Sequence, residues 1–187
     1  MTLQRLIYGL AIIAVLWMAR IILQEPAVLP VTRSDGSVQL ADYRIIPLEA
    51  FSLEARVLGR EDYHFDRGAA LAPTDLALGW GPMADPQVLK DIRISQSNRW
   101  YHWQVDEFPI PRREIETHSA NMHMIPANSL VAQTLAPVKQ GQLIQLSGQL
   151  VQVDGKDSYR WSSSLSREDT GNGACELIWV EQLKVLD

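Results

Sequence analysis

The feature that most constrains this chain is the run Leu6 to Leu23, LIYGLAIIAVLWMARIIL, apolar throughout but for Arg20. A helix crosses hydrocarbon with about 20 such residues, and Thr2 to Gln4 with Gln24 complete the span. Arg20 falls near the outer end, where its stem can lie among lipid tails while the guanidinium reaches the headgroups. A cleaved signal peptide would need small residues one and three places before the cut. Cleavage after Ala19 leaves Trp17 at the outer of those places, and cleavage after Ala27 leaves Glu25 there. The run therefore reads as an uncleaved signal anchor, with Tyr8, Ala11, Ala14, Met18 and Arg20 as its marked residues. Ala11, Ala14 and Met18 share a face on which a neighbouring helix can approach closely. Arg5 and the amino terminus form the short positive flank, whereas Arg20 and Arg33 are mixed with Glu25 and Asp35 beyond the run. That bias places the N-terminus inside and predicts a single-pass protein of the inner (cytoplasmic) membrane. Its C-terminal domain lies on the periplasmic or extracytoplasmic side.

The remainder divides into a stalk over 25–43, with Pro26, Pro30 and a Ser34-Asp35-Gly36-Ser37 turn, and one domain over 44–187. The anchor takes 1–24. Arg44 to Leu58 mixes strand-like residues with a possible short helix, and Gly68 to Met83 reads as loop. Asp85-Pro86 marks the cap and first position of a short helix, and Asn128 caps a second from Ser129 to Leu135. Strands are expected at Ile92 to Ser95, Arg99 to Val105, Leu143 to Val153 with Gly148 at a bulge, Tyr159 to Leu165 and Ala174 to Leu183. Asp154-Gly155 is the turn of a hairpin. The chain carries six Trp, and Trp100, Trp103, Trp161 and Trp179 fall in these strands, where large rings fill a core. The expected fold is mainly β with one or two short helices, a small curled sheet or partly open OB-like barrel behind one transmembrane helix.

The blocks GWGPM (Gly79 to Met83), NMHMIPAN (Asn121 to Asn128) and SSLSREDTGNGACE (Ser163 to Glu176) resemble those of uncharacterised small membrane-anchored bacterial envelope proteins. The likeness spans about two thirds of the exported domain. It implies an envelope location and carries no activity, cofactor or catalytic residue.

Chemistry-bearing residues are sparse. His118, Met122 and Met124 would share one face of an extended segment, and imidazole with thioether suits a copper carrier; the same set is also an apolar stripe. His118, His123 and Cys175 lack the close ligand pair of a zinc site. Asp169, Asn172 and Glu176 lack the spacing of a calcium loop. Ser162, Ser163 and Ser164 have no nucleophile elbow around them. Cys175 opens an apolar run and reads as a buried thiol; a thiol enzyme or hydrolase would pair it with His118 or His123, oriented by Asn121. Trp100, Tyr101, His102 and Trp103 put rings on both faces of a strand, and are the candidate contact residues.

A net charge of −5 with no Lys/Arg stripe excludes a protein that works by neutralising phosphates, so nucleic acid is not among the expected partners. The partners expected are other membrane proteins and the lipid bilayer, with no cofactor. The residues describe a non-enzymatic, membrane-anchored accessory or assembly subunit acting by protein–protein contact, the thiol enzyme and the copper carrier being the alternatives.

Overall fold

The computed structural model describes residues 29–166 and 175–186. The expected anchor, with Tyr8, Ala11, Ala14, Met18 and Arg20, lies outside them, as do Asp169 and Asn172. Among the described residues no helix is long and apolar enough to cross a membrane.

The protein is mainly β. Among the described residues ten strands run in order: β1 (Val31–Thr32), β2 (Val38–Leu40), β3 (Tyr43–Asp62), β4 (Thr74–Gly79), β5 (Arg93–Ser97), β6 (Trp100–Gln104), β7 (Ser119–Pro126), β8 (Leu143–Asp154), β9 (Arg160–Ser162) and β10 (Glu176–Val185). Three short helices join them, α1 (Pro86–Leu89), α2 (Arg112–Thr117) and α3 (Ser129–Leu135), one more than the sequence suggested.

Five strands curl until their pairings close a ring. β3 is antiparallel to both β4 and β8, β4 to β7, and β8 to β10, while β7 and β10 run parallel. β3 can reach both neighbours because it is 20 residues long and irregular between Pro47 and Glu49 and again between Val57 and Gly59. Such bulges bend a strand and strengthen its twist, and the first one accommodates Pro47, which has no ladder N–H to give. Gly148 of β8 faces a third irregularity, between Val180 and Gln182 of β10. A Cβ at Gly148 would stand 2.0 Å from the Trp179 carbonyl oxygen, so glycine is what allows the two backbones to approach.

Alternation along the strands sorts the side chains. Phe51, Leu76, Leu78, Met122, Met124, Ile144, Leu146, Ile178 and Val180 fill one cluster, joined by Val131 and Leu135 of α3. Ile45, Leu71, Ile125, Val151, Leu177 and Trp179 form a second. A third, with Leu58, Met83, Ile92 and Ile115, seats the β5–β6 hairpin through Tyr101 and Trp103.

Both predicted caps are present: the Asp85 carboxylate accepts from Gln87 N at 2.8 Å and Asn128 Oδ1 accepts from Val131 N at 3.0 Å. Three expectations need correction. The region read as loop contains β4, whose six residues are all buried; covered on both faces, it shows no alternation. The unassigned stretch after residue 44 is the long β3. In the stretch read as stalk, β1 and β2 pair with each other and then with β3, the Ser34–Ser37 turn being their hairpin. Asp35 closes that turn by accepting from the side chain and backbone of Ser37, bonds that bring its carboxyl down to about 2.

Candidate functional site

A cleft of about 490 Å³ opens on the outer surface of the ring, lined by the 66–68 loop, Arg99 and Trp100 of the hairpin, His123 of β7, the 159–162 segment and Cys175. Its floor comes from one face of two neighbouring strands. Asp75 of β4 lies opposite His123 of β7, and with Met122 and Met124 turned into the first cluster, Asn121 and His123 face the other way.

Arg99 holds this floor together. It occupies the second place of a two-residue hairpin turn, since Ser97 pairs with Trp100, and both Asn98 (φ 53°) and Arg99 (φ 69°) are left-handed. That is the backbone a tight hairpin of the favoured twist demands, and it is costly for a side chain with a Cβ. The guanidinium offsets this by placing both terminal nitrogens among acceptors. Nη1 donates to Asp75 Oδ1 at 2.7 Å and to the Ala72 carbonyl at 2.8 Å, and Nη2 bonds both Asp66 oxygens at 3.0 and 2.9 Å. Its plane lies 3.8 Å over the Tyr63 ring and 5.6 Å from that of Trp161. The Tyr63 hydroxyl accepts from Arg99 N at 2.8 Å; burial, the larger influence, nonetheless pushes that phenol upward.

Asp75 is completely buried (0% exposed). Its second oxygen accepts from Asn121 Nδ2 at 3.1 Å, and the amide oxygen of Asn121 accepts in turn from Gln96 at 2.8 Å. His123, 3% exposed, brings Nδ1 to 2.9 Å from Asp75 Oδ1. Despite that distance Nδ1 makes no hydrogen bond, so the contact is out of line. The imidazole also meets Trp161, ring centres 4.7 Å apart. Trp161 in turn rests on Gly68, where a Cβ would come within 2.7 Å of the indole. Arg67 lies 4.5 Å over the Tyr159 ring, whose hydroxyl burial also raises.

Of the four aromatic candidates, Trp100 alone lines the cleft. Tyr101 and Trp103 pack into the third cluster, and His102 is exposed on the opposite face of β6. The copper set is dispersed: Met122 and Met124 are sealed in the first cluster, while His118 caps α2, pairs with Glu114 at 3.1 Å and faces Trp80. Among the described residues no group of three or more His, Cys, Asp or Glu is arranged to hold a metal ion. Of the zinc and thiol candidates, His123 and Cys175 line one cleft and His118 does not. Cys175 is half-buried rather than in the core, just ahead of β10, with Sγ 3.9 Å from the Arg99 carbonyl oxygen. Ser163 serves the backbone, its hydroxyl accepting from Leu177 N.

Asp75, Arg99, Asp66 and Tyr63 are absent from the sequence-level candidates. Two signals mark them: an aspartate inside the apolar run Thr74–Gly79, and the polar pair Asn98-Arg99 between two strand-like runs.

No protein-family model matches the chain, and a search of curated proteins finds no match either.

Proposed function

We propose that this protein is a membrane-anchored accessory or assembly subunit of the cell envelope, built on an OB-type barrel, which works by contact with other membrane proteins through the Arg99–Trp161 cleft. The closed order β3-β4-β7-β10-β8, with β7 and β10 parallel and α3 between β7 and β8, supports the barrel type. Fold alone carries no activity.

The observation that carries the reading is the state of the cleft's charges. Arg99 is bound to Asp66 and Asp75, and Asp75 to Asn121, so the guanidinium and the two carboxylates are matched within the floor. What remains for a partner is a ready-made wall of Trp100, Tyr159, Trp161 and guanidinium stems, the composition of contact surfaces. The position of the cleft supports the same reading. Tyr43 donates its hydroxyl to the Arg67 carbonyl and Lys156 pairs with Asp42 at 2.8 Å. The β1–β2 hairpin that follows the anchor therefore joins the ring at the end bearing the cleft.

Solubilisation in mild detergent at native expression, followed by native sizing, tests this. The protein is expected in a larger complex with other membrane proteins, and Arg160→Glu, at the exposed rim, is expected to lower the amount retained. A solitary monomer, or a complex indifferent to that charge reversal, overturns it.

A further inference from the structure

The geometry points to Cys175 as a nucleophilic thiol, with His123 as its base, that exchanges with a disulfide presented in the cleft. The register supplies the first argument. β7 and β10 run parallel with Leu177 beside His123, so the residue ahead of Glu176 falls beside Asn121, on the face that carries Asn121 and His123. Cys175 and His123 then line the same cleft. The second is the environment of His123: an imidazole this deeply buried, against a fully buried carboxylate that its Nδ1 does not hydrogen-bond, is more than a satisfied core histidine requires. An imidazole set against a buried carboxylate and a half-buried thiol thus line one cleft, the groups from which an activated cysteine is built.

The chemistry balances without a further reagent. His123 takes the thiol proton; the thiolate attacks one sulfur of the incoming disulfide, the old S–S bond breaks as the new one forms, and the departing thiolate takes the proton from the imidazolium. Disulfide exchange suits the site better than acyl transfer. It needs no oxyanion donors, and both terminal nitrogens of Arg99, the residue whose carbonyl Cys175 touches, are already bonded. Cys175 is the sole cysteine of the chain, so no second thiol can resolve the product within the molecule. The outcome is a mixed disulfide, a covalent latch on whatever occupies the cleft. This last step rests on the cleft being the contact surface; the reactivity of the thiol does not.

The two are separated by a probe that needs no partner. The folded protein is treated at pH 7 with 2,2′-dithiodipyridine, a small neutral disulfide, and thiopyridone release is followed. One equivalent is expected, at least about tenfold faster than from the same chain unfolded in urea, since an ordinary thiol is only about a few per cent ionised at that pH. Cys175→Ser releases none, and His123→Gln, checked for folding by near-ultraviolet circular dichroism, falls to the unfolded rate or below. Asp75→Asn slows release at pH 7 and leaves the rate above pH 10 unchanged, whereas a purely structural role for Asp75 would leave the pH profile alone. Native release no faster than from the unfolded chain, or unaffected by His123→Gln, overturns the inference. Loss of the membrane complex would leave it standing.

Discussion

At the scale of single residues, the centre of this molecule is one buried carboxylate. Asp75 would be prohibitive in an apolar strand without partners, and Arg99 and Asn121 are what make it tolerable. The asymmetry of such networks gives a prediction: removing one partner of a buried pair costs about 3–5 kcal/mol, because the other charge is left uncompensated. Arg99→Met, which keeps the stem against Tyr63 and removes the fork, is therefore expected to lose about that much in urea unfolding. Arg93→Met, which breaks only the exposed pair with Asp106, should leave the midpoint in place. Equal effects would refute the central role of Arg99. This also explains why the site was hard to read. A buried Asp is legible only once its strand is known to be covered on both faces, and Thr74 to Gly79 does not say so. His123 and Cys175 were legible as residue types, but their meeting depends on a parallel pairing between segments some 50 positions apart in the chain.

At the scale of elements, signals confined to a few neighbouring residues proved reliable. Asp85 and Asn128 marked helix starts because capping is settled within three residues, and the bulge-like Gly148 marked the close approach of β8 and β10. β3 was missed because its two halves serve different neighbours, so no single period runs through it. The β5–β6 hairpin is held to the ring by Tyr101, whose hydroxyl donates to Ser119 Oγ at 3.0 Å while Ser119 donates to the Ile115 carbonyl at 2.6 Å. Burial pushes the Tyr101 phenol up to about 12, against a smaller lowering by the Ser119 bond. The sign follows directly. In the unfolded chain this phenol ionises near 10, so folding is favoured fully below that pH and loses the contribution as pH rises from about 10 to 12. The span corresponds to about 3 kcal/mol at full effect. Stability measured between pH 9 and 12 should fall, and Tyr101→Phe should flatten the fall; a variant as sensitive to alkali as the parent would show that the decline arises elsewhere.

At the scale of the whole molecule, on the reading proposed above, the distance between anchor and cleft decides what the protein can reach. With the apolar run closing near Leu23 and the sheet beginning at Val31, the intervening residues span at most about 3.5 Å each, roughly 25 Å in all. On the proposed reading the cleft is thus held near the headgroups, with Phe65, fully exposed on the adjoining loop (100%), turned outward beside it. A short tether makes the second contact effectively intramolecular, and effective concentration falls as about the −3/2 power of tether length. Inserting 30 Gly/Ser residues after Ala27 lengthens the connection roughly fivefold and should lower the effective concentration about tenfold. The membrane complex recovered in mild detergent is then expected to shrink, while thiopyridone release at Cys175 stays as fast, since the domain itself is untouched. Full recovery of the complex with the long tether would mean that affinity resides in the domain alone, and proximity to the bilayer would drop out of the account.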